Sequence, residues 1–259
     1  MELPDSDLYL RRVRLPRAEG GEYFFALPAV RALAEMEALT FSKPVTFLVG
    51  ENGTGKSTLL EAVAVACGFN PEGGTRNLHF STADTHAALH RYLQLERGPY
   101  RPRDGFFLRA ESFYNVASEI DRLDEIRAHA PPVSASYGGR SLHAQSHGES
   151  FFSLILNRFG GRGLYLLDAP EAALSCARQL ALLTALHERV QDASQFIIAT
   201  HSPLLLAYPD ADIFVLSERG IVKTSYTETE PYVLTKAFLN APDKMLRCLL
   251  ADAQDADET

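Results

Sequence analysis

The chain has 259 residues, of which 46% are hydrophobic, and its formal net charge at pH 7 is −8. This length and apolar content are enough for one large α/β domain, and we expect a single domain with two lobes. The negative charge excludes a surface that is basic overall, although it leaves room for a local basic patch.

The chain shows no sign of membrane insertion or export. No apolar run approaches the ~20 residues of a membrane span, and the acidic start at Glu2 and Asp5 is unlike a signal peptide. Cys67, Cys176 and Cys248 lie far apart, without the C-x-x-C spacing of a metal or redox site. We therefore predict a soluble cytoplasmic protein with buried free thiols.

The first predicted elements are a strand and a helix. Residues 8–15 alternate loosely between apolar and basic side chains, which is typical of a strand with one wet face. Four arginines fall between Arg11 and Arg17. They indicate either a nucleotide or nucleic-acid contact or a solvated edge strand, and the edge strand is favoured. Residues 28–39 are predicted to be helical, with Pro28 in the first turn.

Residues 50–57 read Gly-Glu-Asn-Gly-Thr-Gly-Lys-Ser and match the phosphate-loop pattern G-x-x-x-x-G-K-[ST] at every fixed position. A predicted buried strand at 44–49 precedes the loop, and a predicted apolar helix from Ser57 to Ala66 follows it. The glycines allow successive backbone N–H groups to face one anion. Lys56 would reach the β- and γ-phosphates, and Ser57 would bind Mg²⁺. The alternative, a chance glycine-rich turn, does not explain this context.

The middle of the chain carries weaker signals. A helix from residue 82 to about Glu96 is predicted, and it would place His86 and His90 one turn apart. That spacing suits zinc, but the glutamate of metalloprotease helices is missing between them. A buried strand is predicted at 106–108 and an amphipathic helix at 118–129. No heptad is sustained, which excludes a long coiled-coil arm.

The second half combines three chemical signals. Residues 145–150 form a small-residue loop before an apolar helix from Phe151, which is a second candidate anion site. An apolar strand at 164–168 ends in Asp168, a carboxylate that can hold Mg²⁺ opposite the phosphate loop. After a helix at 175–190, a strand at 195–199 places His201 at its carboxyl end, where a γ-phosphate sensor is expected. A hairpin near 213–223 and short helices near 232–239 and 242–251 complete the chain.

Taken in order, these motifs resemble those of ABC-type ATPases, in the soluble branch related to SMC and double-strand-break-repair ATPases. The chain is similar to small single-domain proteins known as predicted AAA-family ATPases. The resemblance implies an α/β P-loop NTPase fold with a mostly parallel sheet, flanking helices, an N-terminal antiparallel β element and a small helical lobe. It places the nucleotide lobe at about 1–70 and 160–225, the helical lobe at 71–159 and the last helices at 230–252.

The resemblance also implies ATP and Mg²⁺ held between two copies in a head-to-tail homodimer. The expected nucleotide contacts are Gly50, Asn52, Gly53, Thr54, Gly55, Lys56, Ser57 and Thr58, with Ser146, Gly148 and Glu149 from the partner copy. The expected catalytic positions are Lys56, Asp168 and His201. Mg²⁺ would be held by Ser57 and Asp168, and Glu111, at the place of the Q-loop glutamine, is a further candidate ligand.

Three positions depart from the family pattern. His147 replaces the first signature glycine, and Ser175 stands where the D-loop aspartate is expected. Ala169 follows Asp168 where the family has the glutamate that polarises the attacking water, and alanine has no group to do so. Glu171 is the nearest substitute, but it lies beyond Pro170 and is expected to point elsewhere. ATP binding with slow hydrolysis is therefore predicted, whether Ala169 is natural or engineered.

The expected function is that of an ATP-hydrolysing switch acting on DNA or on a partner protein, as in DNA repair or phage defence. The alternative is the nucleotide-binding subunit of an ABC transporter. The incomplete signature and the missing Q-loop glutamine favour the first class. A nuclease is a third class, but the sequence offers no acidic cluster for it.

Overall fold

The described part of the chain folds into two sheets with helices packed around them. The computed structural model describes residues 7–16, 21–76, 88–126, 132–137, 139, 143 and 147–254. The strands are β1 Leu10–Arg14, β2 Leu39–Thr40, β3 Val45–Val49, β4 Gln94–Arg97, β5 Asp104–Arg109, β6 Gly163–Asp168, β7 Gln195–Ala199, β8 Asp212–Ser217 and β9 Gly220–Thr224. The helices are α1 Pro28–Glu35, α2 Lys56–Ala66, α3 Phe113–Ile126, α4 His147–Arg158, α5 Cys176–Gln191, α6 Glu230–Asn240 and α7 Pro242–Gln254.

The larger sheet has six strands in the order β5-β6-β7-β3-β8-β9. The first five run parallel, and β9 returns antiparallel to β8 as a hairpin. Every residue of β3, β6 and β7 is buried, as expected for parallel strands covered on both faces. The predicted fold class, a mostly parallel α/β sheet with an antiparallel element at the N-terminus, is confirmed.

Alternate residues of the central strands supply two separate cores, because successive side chains of a strand point to opposite faces. Leu48 and Leu166 pack on the side of α1, α2 and the small sheet. Phe47 and Leu167 pack on the other side, with apolar residues of α3, α4 and α5. The sheet is therefore a rigid platform between two apolar layers.

The smaller sheet has the order β2-β1-β4 and is antiparallel. It corrects two predictions. β1 is the central strand rather than an edge, and its arginines form surface ion pairs, Arg12 with Glu96 at 3.6 Å and Arg14 with Glu37 at 3.4 Å. Residues 94–97 form β4 instead of the end of a helix, because pairing with β1 overrides the local helical pattern. His86 lies outside the described residues.

A buried glutamine joins the small sheet to the large one. The Gln195 side chain accepts from the Leu10 N–H at 2.9 Å and donates to the Leu10 carbonyl at 2.8 Å. Both bonds are buried, so the amide satisfies the backbone N–H and carbonyl of Leu10. The small sheet is thereby fixed against the start of β7.

The remaining predicted elements differ from the structure mainly in their limits and exposure. The helix expected at 118–129 is α3, which begins at Phe113. Cys67 is buried as predicted, but Cys176 and Cys248 are exposed because they lie on the outer sides of α5 and α7.

Helices α6 and α7 leave apolar side chains at the surface, including Leu239 at 70% exposure. No helix in the described part of the chain has the length and apolar character needed to cross a bilayer.

Asp104, at the start of β5, connects this strand to α4 and β6. Its carboxylate accepts from Arg158 Nη1 at 2.8 Å, the Gly160 N–H at 2.9 Å and the Tyr165 hydroxyl at 2.7 Å. Burial works to raise the pKa of Asp104, but these hydrogen bonds and the Arg158 charge outweigh it and lower the pKa. The ionised carboxylate is therefore the form that holds the three elements together.

We expect Asp104→Asn to lower the free energy of unfolding by about 2–3 kcal/mol at neutral pH, because Arg158 loses its charged partner. The pKa of Asp104 is lowered from its ordinary value of 3.8, so the difference between parent and variant should be complete above that pH. It should shrink as the pH falls through the lowered pKa. Denaturant unfolding at several pH values measures both effects.

The matched control is Asp210→Asn, because Asp210 forms an exposed ion pair with Lys43 at 3.2 Å. Asparagine tolerates the left-handed backbone of Asp210, whose φ is 54°, so the change should cost less than about 1 kcal/mol. Equal losses in the two variants would show that the Asp104 network is not a special support of the fold.

Candidate functional site

The candidate site lies where the carboxyl ends of the parallel strands meet. In the register of the sheet, Leu48 of β3 pairs with Ala199 of β7. Ala199 also pairs with Asp168 of β6, and Asp168 pairs with Arg109 of β5. The segments that follow these strands therefore emerge side by side. This edge is where open α/β sheets bind their ligands.

The phosphate loop leaves β3 at Gly50 and enters α2 at Lys56. A Cβ on Gly50 would lie 2.2 Å from the Leu216 carbonyl oxygen, so only glycine allows β8 to approach the loop this closely. Gly55 has a φ of 92°, in the left-handed region, and directly precedes the first turn of α2. This conformation suits a loop whose N–H groups face an anion at the positive end of the helix.

Lys56 is buried and turned back on the loop. Its Nζ donates to the carbonyls of Gly50 at 2.5 Å and Glu51 at 2.7 Å. Burial lowers the pKa of Lys56, although the negative charges of Asp168, Glu171 and Glu51 oppose this effect. A phosphate oxygen offers the ammonium a stronger acceptor than these carbonyls, so the lysine is positioned to exchange them for an anion.

Ser57 and Asp168 are in direct contact across the site. Ser57 Oγ donates to Asp168 Oδ1 at 2.9 Å. Two neighbouring ligands of an octahedral Mg²⁺, each about 2.1 Å from the ion, are about 2.9–3.0 Å apart. Both atoms are hard oxygen donors, and burial raises the pKa of Asp168 to about 6. The pair fits Mg²⁺, because a cation would relieve the cost of burying this carboxylate.

Arg109 is a site residue that sequence reasoning missed. At the end of β5, its Nη1 contacts Glu61 of α2 at 2.6 Å, and its Nε lies 3.6 Å from Asp168 Oδ2. Its Nη2 lies 3.7 Å from Glu111. The guanidinium therefore joins the phosphate-loop helix to the carboxylates at the edge of the sheet. The available signal was a cationic residue directly after a buried strand.

Ala169 and Glu171 lie on a short 3-10 turn after β6. Ala169 has a left-handed φ of 49°, and its N–H donates to the Ala199 carbonyl at 2.9 Å. This turn brings Glu171 into contact with His201, whose backbone N–H donates to Glu171 Oε1 at 2.7 Å. Burial and the nearby Lys56 charge lower the pKa of His201, which favours a neutral ring.

The structure describes only part of the signature segment. Ser146 lies outside the described residues, whereas Gly148 and Glu149 are in the first turn of α4. A Cβ on Gly148 would lie 2.7 Å from Arg178 Nη1 and 2.8 Å from the Ala173 carbonyl. Arg178 also pairs with Glu149 at 3.5 Å, so this arginine is a second residue that sequence reasoning missed.

Two of the cavities beside the phosphate loop contain most of its residues. The first, of about 260 Å³, brings together most of the predicted phosphate and metal residues. It is lined by Leu27, Asn52, Gly53, Gly55, Lys56, Ser57, Thr58, Glu111, Asp168, Ala169, Ala199, Thr200 and His201. The second, of about 510 Å³, lies on the β8 side and is lined by Pro28, residues 50–54, residues 215–219 and Glu230. Among the described lining residues neither cavity contains one from α4, so Gly148 and Glu149 lie apart from the chain's own phosphate site.

Known proteins resemble this chain in sequence and in fold. The family model described as an AAA domain matches residues 29–103. Over 199 residues, 70% of this chain and 77% of the relative, the sequence is 31% identical to the vitamin B12 import ATP-binding protein BtuD of Vibrio atlanticus. It is 28% identical over 198 residues to the hemin import ATP-binding protein HmuV of Streptomyces coelicolor, covering 73% of this chain and 70% of the relative. An inward-facing structure of a metal-chelate type ABC transporter aligns with a TM-score of 0.50 at 17% identity, over 88% of each chain.

We expect Lys56→Ala to abolish ATP binding, because no other described residue supplies a buried cation at the end of the phosphate loop. Calorimetric titration with ATP and Mg²⁺ measures the affinity. The control is Lys43→Ala, which removes a lysine just before the first residue of β3, at the other end of the strand from the phosphate loop. This change should alter the dissociation constant for ATP less than about twofold. Binding of ATP to Lys56→Ala as tightly as to the parent would contradict the assignment of this loop.

Proposed function

We propose that this chain, which belongs to the family of ABC-type P-loop ATPases, binds and hydrolyses ATP and acts as a nucleotide-driven switch that dimerises head-to-tail around ATP. The observation that carries the proposal is the convergence of Lys56, Asp168 and His201 on one cavity, from the ends of three neighbouring strands. This set supplies a cation, a metal ligand and a polar group opposite the phosphate loop. Phosphoryl transfer needs such positioning and charge stabilisation more than covalent chemistry.

Each residue has a defined task in this proposal. The loop N–H groups and Lys56 bind the phosphates, while Ser57 and Asp168 hold Mg²⁺, which neutralises part of the phosphate charge when bound. His201, at the end of β7, donates a hydrogen bond from its ring towards the terminal phosphate. The Glu171 carboxylate orients His201 by accepting from its backbone N–H at 2.7 Å. Arg109 keeps the Asp168 carboxylate in place through the 3.6 Å contact.

The head-to-tail dimer is supported by the separation of α4 from the phosphate cavities. The N-terminal turn of α4 carries Gly148, and the Arg178 guanidinium lies against it. The partial positive charge of the helix end and the arginine together favour an anion. No described residue of α4 lines the phosphate cavities of the same chain. We therefore assign this anion to a nucleotide held by a second copy.

ATP should promote a symmetric dimer and ADP should not, because only ATP has the γ-phosphate that reaches the partner's signature segment. Sedimentation velocity, at a concentration where the nucleotide-free protein is monomeric, measures the change. Ser146→Arg should prevent dimerisation by placing a bulky side chain at the interface, while calorimetry shows that ATP still binds. Equal sedimentation of the parent with ATP and ADP would refute the proposed dimer.

We expect Ala169→Glu to raise ATP turnover at least about tenfold, because Ala169 lines the phosphate cavity and a carboxylate there can polarise water. A steady-state phosphate-release assay at saturating ATP and Mg²⁺ measures the rate. Ala169→Gln is the matched control, since it has a similar volume without a charge to accept a proton. A Gln variant as fast as the Glu variant would show that the gain is not general-base catalysis.

A second candidate function is that of the ATP-binding subunit of an importer, as the names of two relatives indicate for those proteins. We favour the switch acting on DNA or on a partner protein, in a process such as DNA repair or phage defence. The two candidates differ in what the ATP-bound protein contacts. Purification of the tagged chain from its native cells with ATP, in the presence of detergent, distinguishes them. Recovery of an integral membrane protein in a fixed ratio would favour the importer, and recovery of DNA or a soluble partner would favour the switch.

A further inference from the structure

The phosphate cavity contains a carboxylate that the proposed binding mode does not use. Glu111 and Asp168 are the two acidic residues among its described lining residues. Asp168 contacts Ser57 and is assigned to the metal. Glu111 lines the same cavity as Ala169, the position that has lost the family's glutamate. The cavity therefore still has an acidic side chain for the attacking water.

Glu171, two residues after Ala169, is held by one of its two carboxylate oxygens. Its Oε1 accepts the His201 backbone N–H at 2.7 Å, and it does not line the phosphate cavity. Its Oε2 is buried and has no hydrogen-bond partner in the described part of the chain. Because Glu171 is not among the described lining residues of the cavity, it can meet a water there only if its side chain moves.

Glu111 has the freedom that Glu171 lacks. Its side chain is 86% exposed, and its Oε2 lies 3.7 Å from Arg109 Nη2, too far for a good hydrogen bond. It follows β5 by two residues, next to the edge where β6 delivers Asp168. Rotation about its side-chain bonds can therefore bring the carboxylate over the cavity without any movement of the sheet.

We propose that Glu111 is the general base of ATP hydrolysis in this chain, in place of the carboxylate absent at Ala169. The inference rests on the proposed ATPase function. The oxygen of a water molecule forms a bond to the γ-phosphorus, and the bond from that phosphorus to the bridging oxygen breaks. The electron pair of the broken bond leaves with ADP, and the proton of the water passes to the Glu111 carboxylate. Glu111 then releases this proton to solvent.

The test compares Glu111→Gln with the parent in two measurements at saturating Mg²⁺. Phosphate release should fall at least about tenfold in kcat, because a general base contributes ~10²–10⁴-fold and solvent replaces only part of it. The dissociation constant for ATP should stay within about twofold, since Gln keeps the size and polarity of the side chain. Glu188→Gln, an exposed change on α5, is the control and should leave both values unchanged.

A double variant makes the test independent of folding damage. In the Ala169→Glu background a carboxylate is restored at the family's position, so adding Glu111→Gln should change kcat less than about threefold. A damaged fold would lower the rate equally in both backgrounds. Equal losses would therefore overturn the proposal.

Other results also decide the matter. If Glu111→Gln weakened ATP binding in a Mg²⁺-dependent manner and left kcat at saturation intact, Glu111 would be a metal ligand and not the base. If Glu171→Gln removed the turnover while Glu111→Gln did not, Glu171 would be the base. If the parent bound ATP but hydrolysed it no faster than Lys56→Ala, the base would be refuted while nucleotide binding stood. Absence of ATP binding by the parent would refute the proposed function and the base together.

Discussion

Parallel pairing of β3, β6 and β7 is the constraint on which the site depends. It places the ends of the three strands at one edge of the sheet, so residues separated by more than a hundred positions in sequence become neighbours. The 2.9 Å contact between Ser57 and Asp168 follows from this register. A shift of β6 by one residue would turn Asp168 to the opposite face of the sheet and remove it from the loop. The two apolar cores hold the register, so the chemistry of the site is supported by hydrophobic burial.

The buried charges at this edge are costly unless each has a partner. Lys56 and Asp168 are buried. Burial lowers the pKa of Lys56 and raises the pKa of Asp168, so it favours the neutral form of each side chain. Loop carbonyls satisfy Lys56, while Ser57 and Arg109 partly satisfy Asp168. Phosphate and metal ligands would replace these contacts with stronger ones. Binding of these ligands would therefore relieve the free-energy cost of burying the two charges.

Much of the fold was predictable because its signals are local. The phosphate loop has a fixed pattern between a buried strand and a helix, and both elements form within one residue of their predicted limits. Asp168 and His201 were likewise placed at strand ends from short apolar runs. β4 was missed because its conformation depends on pairing with β1, about eighty residues earlier. The contacts of Arg109 with Glu61 and of Glu171 with His201 depend on strand register and on the left-handed turn at Ala169, which no local pattern encodes.

The central claim is that ATP and a divalent cation share one site through Ser57 and Asp168. Mn²⁺ is a paramagnetic substitute for Mg²⁺ that prefers the same oxygen ligands, so its binding can be followed directly by electron paramagnetic resonance. We expect Mn²⁺ to bind the parent tightly only when ATP is present, and Asp168→Asn to weaken this binding by about tenfold or more. Mn²⁺ that bound Asp168→Asn as tightly as the parent, or bound the parent equally well without ATP, would contradict the account.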